Sequence, residues 1–237
     1  MITTQWLITS LDYSVSRDVV ILHVQVTESF SFLEGQFMML QTLIGDKIVK
    51  RAYSIYSTNH QLQDSQIISF CIKRKEWWLF STWATQVAKK GMQITMVWPL
   101  WKFIDTGVSK NYLFISVGSG LSPCFSLYSS LLQTGNYHKI VNLFGERYLD
   151  HIPAEVFEKY SLQNEKVYNQ ICLSKEESLW DGMISGYVQD GLNSALRFLN
   201  TQDVIVFICW LPTMCDDVAQ ILQDKGIEKQ RLIIEKY

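Results

Sequence analysis

The first hundred residues alternate. "VVILHVQVT" (Val19–Thr27) sets apolar and polar positions in turn and is rich in β-branched residues, which predicts a strand. "GQFMMLQTL" (Gly35–Leu43) and "QIISFCIKR" (Gln66–Arg74) read the same way, with turn chemistry between them at Gly45-Asp46 and Asn59. Short strands at near-regular spacing predict a small antiparallel barrel or sandwich. One helix is evident in this half. It begins after the pair Trp77-Trp78, in "LFSTWATQVAKKG", with Leu79, Trp83 and Val87 on one face.

After about Thr106 the pattern changes. "NYLFISVGSG" (Asn111–Gly120) is a buried strand running into glycines, and "LSPCFSLYSSLLQTG" has helical periodicity and stops at Gly135. "KIVNLFGER", "EKVYNQICLS", "DVIVFICW" and "RLIIEKY" read as strands; "AEVFEKYSLQ", "QDGLNSALRFLN" and "TMCDDVAQILQDKG" read as helices. Strands alternating with helices predict a parallel sheet covered on both faces. The chain therefore reads as β followed by α/β, with domains over 1–106 and 107–237.

Composition narrows the function classes. The chain has 237 residues, 48% hydrophobic and 19% charged, enough for two modest domains or one large one. A formal charge of -2 gives no basic footprint for nucleic acid. No apolar run reaches the length of a membrane span. "MITTQWLITSLDYS" lacks the basic flank and continuous apolar core of a secretory signal. The five cysteines, Cys71, Cys124, Cys172, Cys209 and Cys215, are odd in number and show no CxxC spacing. That argues against a disulfide framework, a zinc site or an iron–sulfur cluster, and no metal is expected. A reducing cytoplasm fits best.

The stretch that carries chemistry is "RAYSIYST", Arg51 to Thr58. On a strand, Arg51, Tyr53 and Ile55 share one face and Ala52, Ser54 and Tyr56 the other. A partly exposed edge strand would account for it. It also suits a flavin: Arg pairs with phosphate, Tyr stacks on the ring and a Ser hydroxyl reaches a ring nitrogen. "RAYSIYST" resembles the R-x-Y-S-x-x-S/T flavin motif of the ferredoxin–NADP reductase family. "EGQFMML" resembles the strand before that motif, and "LFSTWATQVAKKG" the helix whose N-terminus holds the FAD pyrophosphate. "VGSGLSPCFSLYSSLL" is similar to the loop and helix that receive the nicotinamide nucleotide. "NLFGERYLDHI", "LSKEESLWDGMISGYVQD" and "CWLPTMCDDVAQILQDKGI" continue the family order. The resemblance covers roughly Asp12 to Tyr237.

That resemblance implies an N-terminal antiparallel FAD-binding β-barrel followed by a Rossmann-like NAD(P)-binding domain. It implies an enzyme passing electrons between NAD(P)H and a one- or two-electron acceptor, by hydride transfer at flavin N5. Arg51 would pair with the FAD phosphate, Tyr53 stack on the isoalloxazine, and Ser54 hydrogen-bond near N5. Ile72 and Lys73 would lie on the second FAD strand, although Lys73 also reads as a solvated edge residue. Ser81 and the amides of Leu79, Phe80 and Ser81, with Thr82, would cradle the pyrophosphate. Gly118, Ser119, Gly120 and Pro123 would admit the nicotinamide nucleotide. Cys209 would lie near its reacting carbon, with Pro212 and Met214 beside it; a lone Cys ending an apolar strand also reads as core. Ser174 and Lys175 resemble a pair that takes the 2′-phosphate of NADP, and Tyr187 an aromatic against adenine; "SKEES" also reads as a solvated loop. Tyr237 resembles a closing aromatic over the flavin, or ordinary core.

The implied acceptor is a small redox protein such as ferredoxin or flavodoxin, or a diffusible acceptor. Lys47, Lys50, Arg51, Lys73, Arg74, Lys75, Lys89, Lys90 and Lys102 give the first domain a basic lean that suits an acidic carrier. The alternatives are a reductase subunit of a larger redox system and a cofactor-free binding protein. The latter rests on five tryptophans where the family has glycine: Trp77, Trp78, Trp98, Trp101 and Trp210. Indoles there would obstruct both nucleotides. A codon misreading, in which UGA means glycine in the cell and is translated as tryptophan, would produce such a one-to-one exchange.

Overall fold

The computed structural model describes residues 3–27, 30–100, 103–177 and 182–236. The first half supplies β1 (Thr3–Tyr13), β2 (Val19–Gln25), β3 (Phe37–Ile44), β4 (Lys47–Ser54), α1 (Asn59–Ser65), β5 (Ile67–Lys73), α2 (Leu79–Gln86) and β6 (Gln93–Leu100). Its strands pair antiparallel in the order β4-β3-β6-β1-β2-β5. The two edge strands come together where the Tyr56 N–H donates to the Ser69 carbonyl, so the sheet curls into a barrel.

The second half runs β7 (Asn111–Val117), α3 (Leu121–Thr134), β8 (Lys139–Glu146), α4 (Ala154–Tyr160), β9 (Val167–Leu173), β10 (Met183–Ser185), α5 (Val188–Leu199), β11 (Ile205–Cys209), α6 (Pro212–Asp224) and β12 (Leu232–Glu235). Its sheet is wholly parallel, in the order β10-β9-β8-β7-β11-β12. The chain walks outward from β7 to β10, then returns to lay β11 on the other side of β7. That reversal opens a crevice beyond the carboxyl ends of β7 and β11, the place where such sheets bind ligands.

Both sheets are built by alternation. Along β7, Tyr112 and Phe114 enter the core beneath α3 and α4, while Leu113 and Ile115 enter the core beneath α5 and α6. Along β2, Val20, Leu22 and Val24 fill the barrel, while Val19 and Ile21 face outward into the α3 core. The barrel wall is therefore buried on both sides. Tyr56 stacks on Phe125 of α3 with centroids 4.5 Å apart and planes 6° from parallel. Ser122 Oγ donates to the Cys71 carbonyl at 3.3 Å, and Ser126 Oγ to the Ser57 carbonyl at 2.7 Å. The two halves share one continuous apolar seam.

Three expectations need correction. Asn59 opens a helix rather than a turn: Thr58 and Gln61 close a reciprocal capping box around α1. The inward face of α2 is Phe80, Trp83 and Ala84, which meet the barrel core. Of the expected face only Trp83 is buried; Leu79 sits exposed at the helix mouth and Val87 is the C-cap. The alternation of "RAYSIYST" stops at Ser54, because β4 ends there. Ile55 N–H then turns to the Gln36 carbonyl and Tyr56 crosses toward β5.

The seam sets a testable energy. Phe125 is 1% exposed, so Phe125→Ala is expected to cost about 3–5 kcal/mol, read as a lowered urea midpoint for the whole chain.

Candidate nucleotide site

A cavity of about 430 Å³ lies where the barrel meets the crevice of the parallel sheet. Its wall combines Phe37, Arg51, Ala52, Tyr53, Ser54, Cys71, Lys73, Lys75 and Trp78 with Ser119, Ser122, Trp210, Ile234, Glu235 and Lys236. Nine of these belong to the barrel half and six to the second sheet, so neither half makes the site alone.

β4 delivers the first group. It ends at the barrel rim, and its last four residues, Arg51 to Ser54, all reach the cavity. Tyr53 leans on Phe80 of α2, with centroids 5.2 Å apart. Burial holds its phenol protonated well above the usual range, with the Arg51 charge a smaller opposing effect. Ser54 is buried.

The mouth of α2 is the second element. Thr82 N–H donates to the Trp78 carbonyl, so the N–H groups of Leu79, Phe80 and Ser81 precede the helix's own ladder and are available to an anion. The Ser81 hydroxyl does not share that task. It is buried, accepts from Lys75 N–H at 3.1 Å and donates to the Trp78 carbonyl at 3.1 Å, folding the 75–78 turn onto the helix.

Across the cavity, β7 runs into Gly118–Gly120. A Cβ on Gly120 would stand 2.5 Å from the Cys209 carbonyl oxygen and 2.5 Å from Trp210 Cβ, so only glycine lets the ends of β7 and β11 pass so closely. Gly118 lies between the Lys73 and Trp210 side chains. Lys75 reaches over the Trp210 ring, 4.7 Å from its centroid. Its ammonium pKa is lowered, first by burial and then by Lys73 and Arg147.

Lys73 is not a solvated edge residue. Its ammonium lies 2.5 Å from Glu146 Oε2, with side chains 17% and 5% exposed. Glu146 Oε1 accepts from Arg147 N–H at 2.7 Å and faces His151 Nδ1 at 3.6 Å. This ion pair ties the end of β5 to the end of β8, across the seam. Glu146 lay unnoticed inside "FGER", because one carboxylate ending an apolar strand gives no chemical signal. Lys75, Ser122 and Glu235 were likewise missed; only the folded chain brings them to the cavity.

Other expected residues lie elsewhere. The side chain of Ile72 is in the barrel core and Cys209 in the seam core, because each alternates inward from its strand, and Met214 is on the buried face of α6. Pro123 is buried in the first turn of α3, and Pro212 opens α6 exposed. Ser174 and Lys175 follow β9, with N–H bonds to the Glu146 and Arg147 carbonyls. Tyr187 caps α5 and is exposed. Trp101, Lys102, Trp180 and Tyr237 lie outside the described residues, as does the side chain of Trp98. All five cysteines are buried and none forms a disulfide. Burial pushes Cys71 up to about 12, so it is not a thiolate at neutral pH. Among the described residues no helix is long and apolar enough to cross a membrane, and no cluster of metal-ligating side chains occurs.

The dimensions suit a flat heteroaromatic ring. The volume lies within the range of cofactor pockets, with an aromatic wall at Tyr53, a buried hydroxyl at Ser54, a cation at Arg51 and a helix mouth nearby. Trp78 and Trp210 also line the cavity, at the mouth of α2 and the end of β11.

Comparison with known proteins agrees with this geometry. Residues 114–220 match the oxidoreductase NAD-binding domain family. The chain is 27% identical over 217 residues to ferredoxin–NADP reductase B of Sorangium cellulosum, covering 89% of this chain and 87% of that protein. It is 25% identical over 211 residues to the toluate 1,2-dioxygenase electron transfer component of Pseudomonas putida, covering 87% of this chain and 59% of that protein. In structure it is similar to a ferredoxin NADP+ reductase from Neisseria gonorrhoeae with bound FAD and NADP. The TM-score is 0.83 at 17% identity, over 99% of this chain and 98% of the other.

The cross-seam ion pair can be tested by itself. Lys73→Ala leaves Glu146 buried without its cation and is expected to cost about 3–5 kcal/mol in chemical denaturation. Lys73→Met with Glu146→Leu is expected to cost much less. Equal losses would contradict the pairing.

Proposed function

We propose that this chain, which belongs to the ferredoxin–NADP reductase type of flavoprotein oxidoreductases, uses FAD to carry electrons between NAD(P)H and a one- or two-electron acceptor. The observation that supports it most is the two-sided cavity: a ring site on the barrel rim faces the crevice of a parallel sheet. A division near residue 106 assigns the flavin to the first part and the dinucleotide to the second.

Bound FAD supplies the chemistry that accepts two electrons and releases them singly or in pairs. The protein supplies position. Tyr53, braced by Phe80, gives the ring a flat wall. Ser54 offers its hydroxyl at the ring edge. Arg51 pairs with phosphate, and the N–H groups of Leu79, Phe80 and Ser81, with Thr82 beside them, face the pyrophosphate. Lys73 is held against Glu146, so its charge is fixed at the cavity's inner wall. Gly118, Ser119 and Gly120, backed by Pro123, admit the nicotinamide at the end of β11, where Cys209 and Met214 pack into the cores behind it and Pro212 opens α6. Ser174, Lys175 and Tyr187 receive the adenosine end. Packing both sites against one seam holds the two rings within reach of each other without a moving part.

The acceptor is an acidic redox carrier, or an oxygenase component served by such a carrier. Lys47, Lys50, Lys89 and Lys90 are exposed on the barrel and are not assigned to the flavin. Arg74 is engaged with Asp18 at 2.6 Å and Lys73 with Glu146, so those two do not contribute to the docking face.

The test uses two preparations of the whole chain, with tryptophan or with glycine at positions 77, 78, 98, 101 and 210. Flavin absorbance and NADPH- or NADH-dependent ferricyanide reduction in either one support the proposal. Two colourless, inactive preparations would overturn it in favour of a cofactor-free binding protein. In an active preparation, Ser54→Ala is expected to retain FAD and lose about tenfold in rate.

A further inference from the structure

We infer that positions 77 and 210 are glycine in the protein made by its own cells, and that tryptophan stands there through the reading of the codon. The backbone carries the argument. Trp77 has φ +70° and Trp210 φ +81°. Only a few per cent of non-glycine residues enter that region, and a bulky side chain there is an outlier. Among the described residues eight glycines have positive φ, seven of them between +51° and +90°. These two tryptophans therefore share the conformation of the glycines and not that of their own kind; Trp6, Trp78 and Trp83 all have negative φ.

Nothing the indoles do offsets the strain at Trp77. It is 94% exposed, so its side chain gains almost no burial in exchange for a left-handed backbone. The other four non-glycine residues with positive φ are of a different kind. Gln66 and Asn200 are helix C-caps, a common left-handed position. Arg17 is in a tight turn, its N–H donating to the Ser14 carbonyl. Leu211, φ +41°, directly follows Trp210, so strain extends over two consecutive residues at the end of β11.

Trp210 adds a steric sign. Its Cβ occupies the space that would receive a Cβ from Gly120. Its ring covers the cavity under Lys75. Glycine at 210 would remove that cover and open the crevice between β7 and β11. Glycine at 77 would relax the turn leading into α2. A cell that reads UGA as glycine, translated by a code in which UGA means tryptophan, changes only glycines and leaves those written with ordinary glycine codons intact. The inference about identity rests on the backbone. Its consequence, a nucleotide site more open than the tryptophan chain presents, rests on the proposed function.

Two experiments decide it. The first is the codon at positions 77 and 210, together with peptide mass spectrometry of the protein from its own cells. UGA with glycine-containing peptides is expected; UGG, or tryptophan in the peptides, would overturn the inference. The second needs no source organism. Trp77→Gly and Trp77→Ala are compared with the tryptophan chain by thermal unfolding. Because the gain comes from the left-handed backbone, glycine is expected to raise Tm by about 2–4 °C and alanine to give clearly less. Alanine matching glycine would overturn the backbone argument. Both readouts are independent of flavin, so a failure of the functional reading leaves them intact.

Discussion

The structure depends on a barrel wall buried on both sides. Strands β2 and β5 present one row of side chains to the barrel interior and the other to α3, so Val19, Ile21 and Cys71 belong to the core of the second sheet. Burying both rows stabilises each half through the other and fixes their relative position. The stacked pair Tyr56–Phe125, the hydroxyls of Ser122 and Ser126, and the ion pair Lys73–Glu146 all lie along this seam. The candidate site is the open end of the same seam. Its geometry is set by packing rather than by loops, which suits a reaction that needs two flat rings held in contact.

The seam also explains which features were legible in the sequence. Alternation revealed the strands and the parallel sheet because each strand has a row facing a core. The change of pattern near Thr106 separated an antiparallel from a parallel texture. "RAYSIYST" and the glycines after β7 drew attention because their residue types carry chemistry. Glu146 and Glu235 did not, and Lys75 read only as part of a basic lean, because each is an ordinary charged residue until the fold sets it against a partner from the other half. Ile72, Cys209 and Met214 were drawn toward the site by motif spacing, yet Ile72 and Cys209 alternate into cores and Met214 sits on the buried face of α6. Thr58 and Gln61 formed a capping signal that the neighbouring turn chemistry at Asn59 obscured.

The tryptophans show how backbone geometry adds to composition. In the sequence, Trp77 and Trp78 are two large side chains at a helix mouth. In the structure, Trp77 has a glycine conformation with its ring in solvent, whereas Trp78 is an ordinary extended N-cap that lines the cavity. The backbone thus separates two neighbours that the sequence treats alike. It also joins Trp77 to Trp210, which lies on a different element of the other half.

The central claim is that one cavity brings a flavin and a nicotinamide face to face. It is tested most directly by titrating the FAD-loaded protein with NADP+ and NAD+ and following the visible flavin spectrum. The account predicts a saturable perturbation of the flavin bands whose midpoint matches the calorimetric dissociation constant. Calorimetric binding that leaves the flavin spectrum unchanged would place the two rings apart and contradict it.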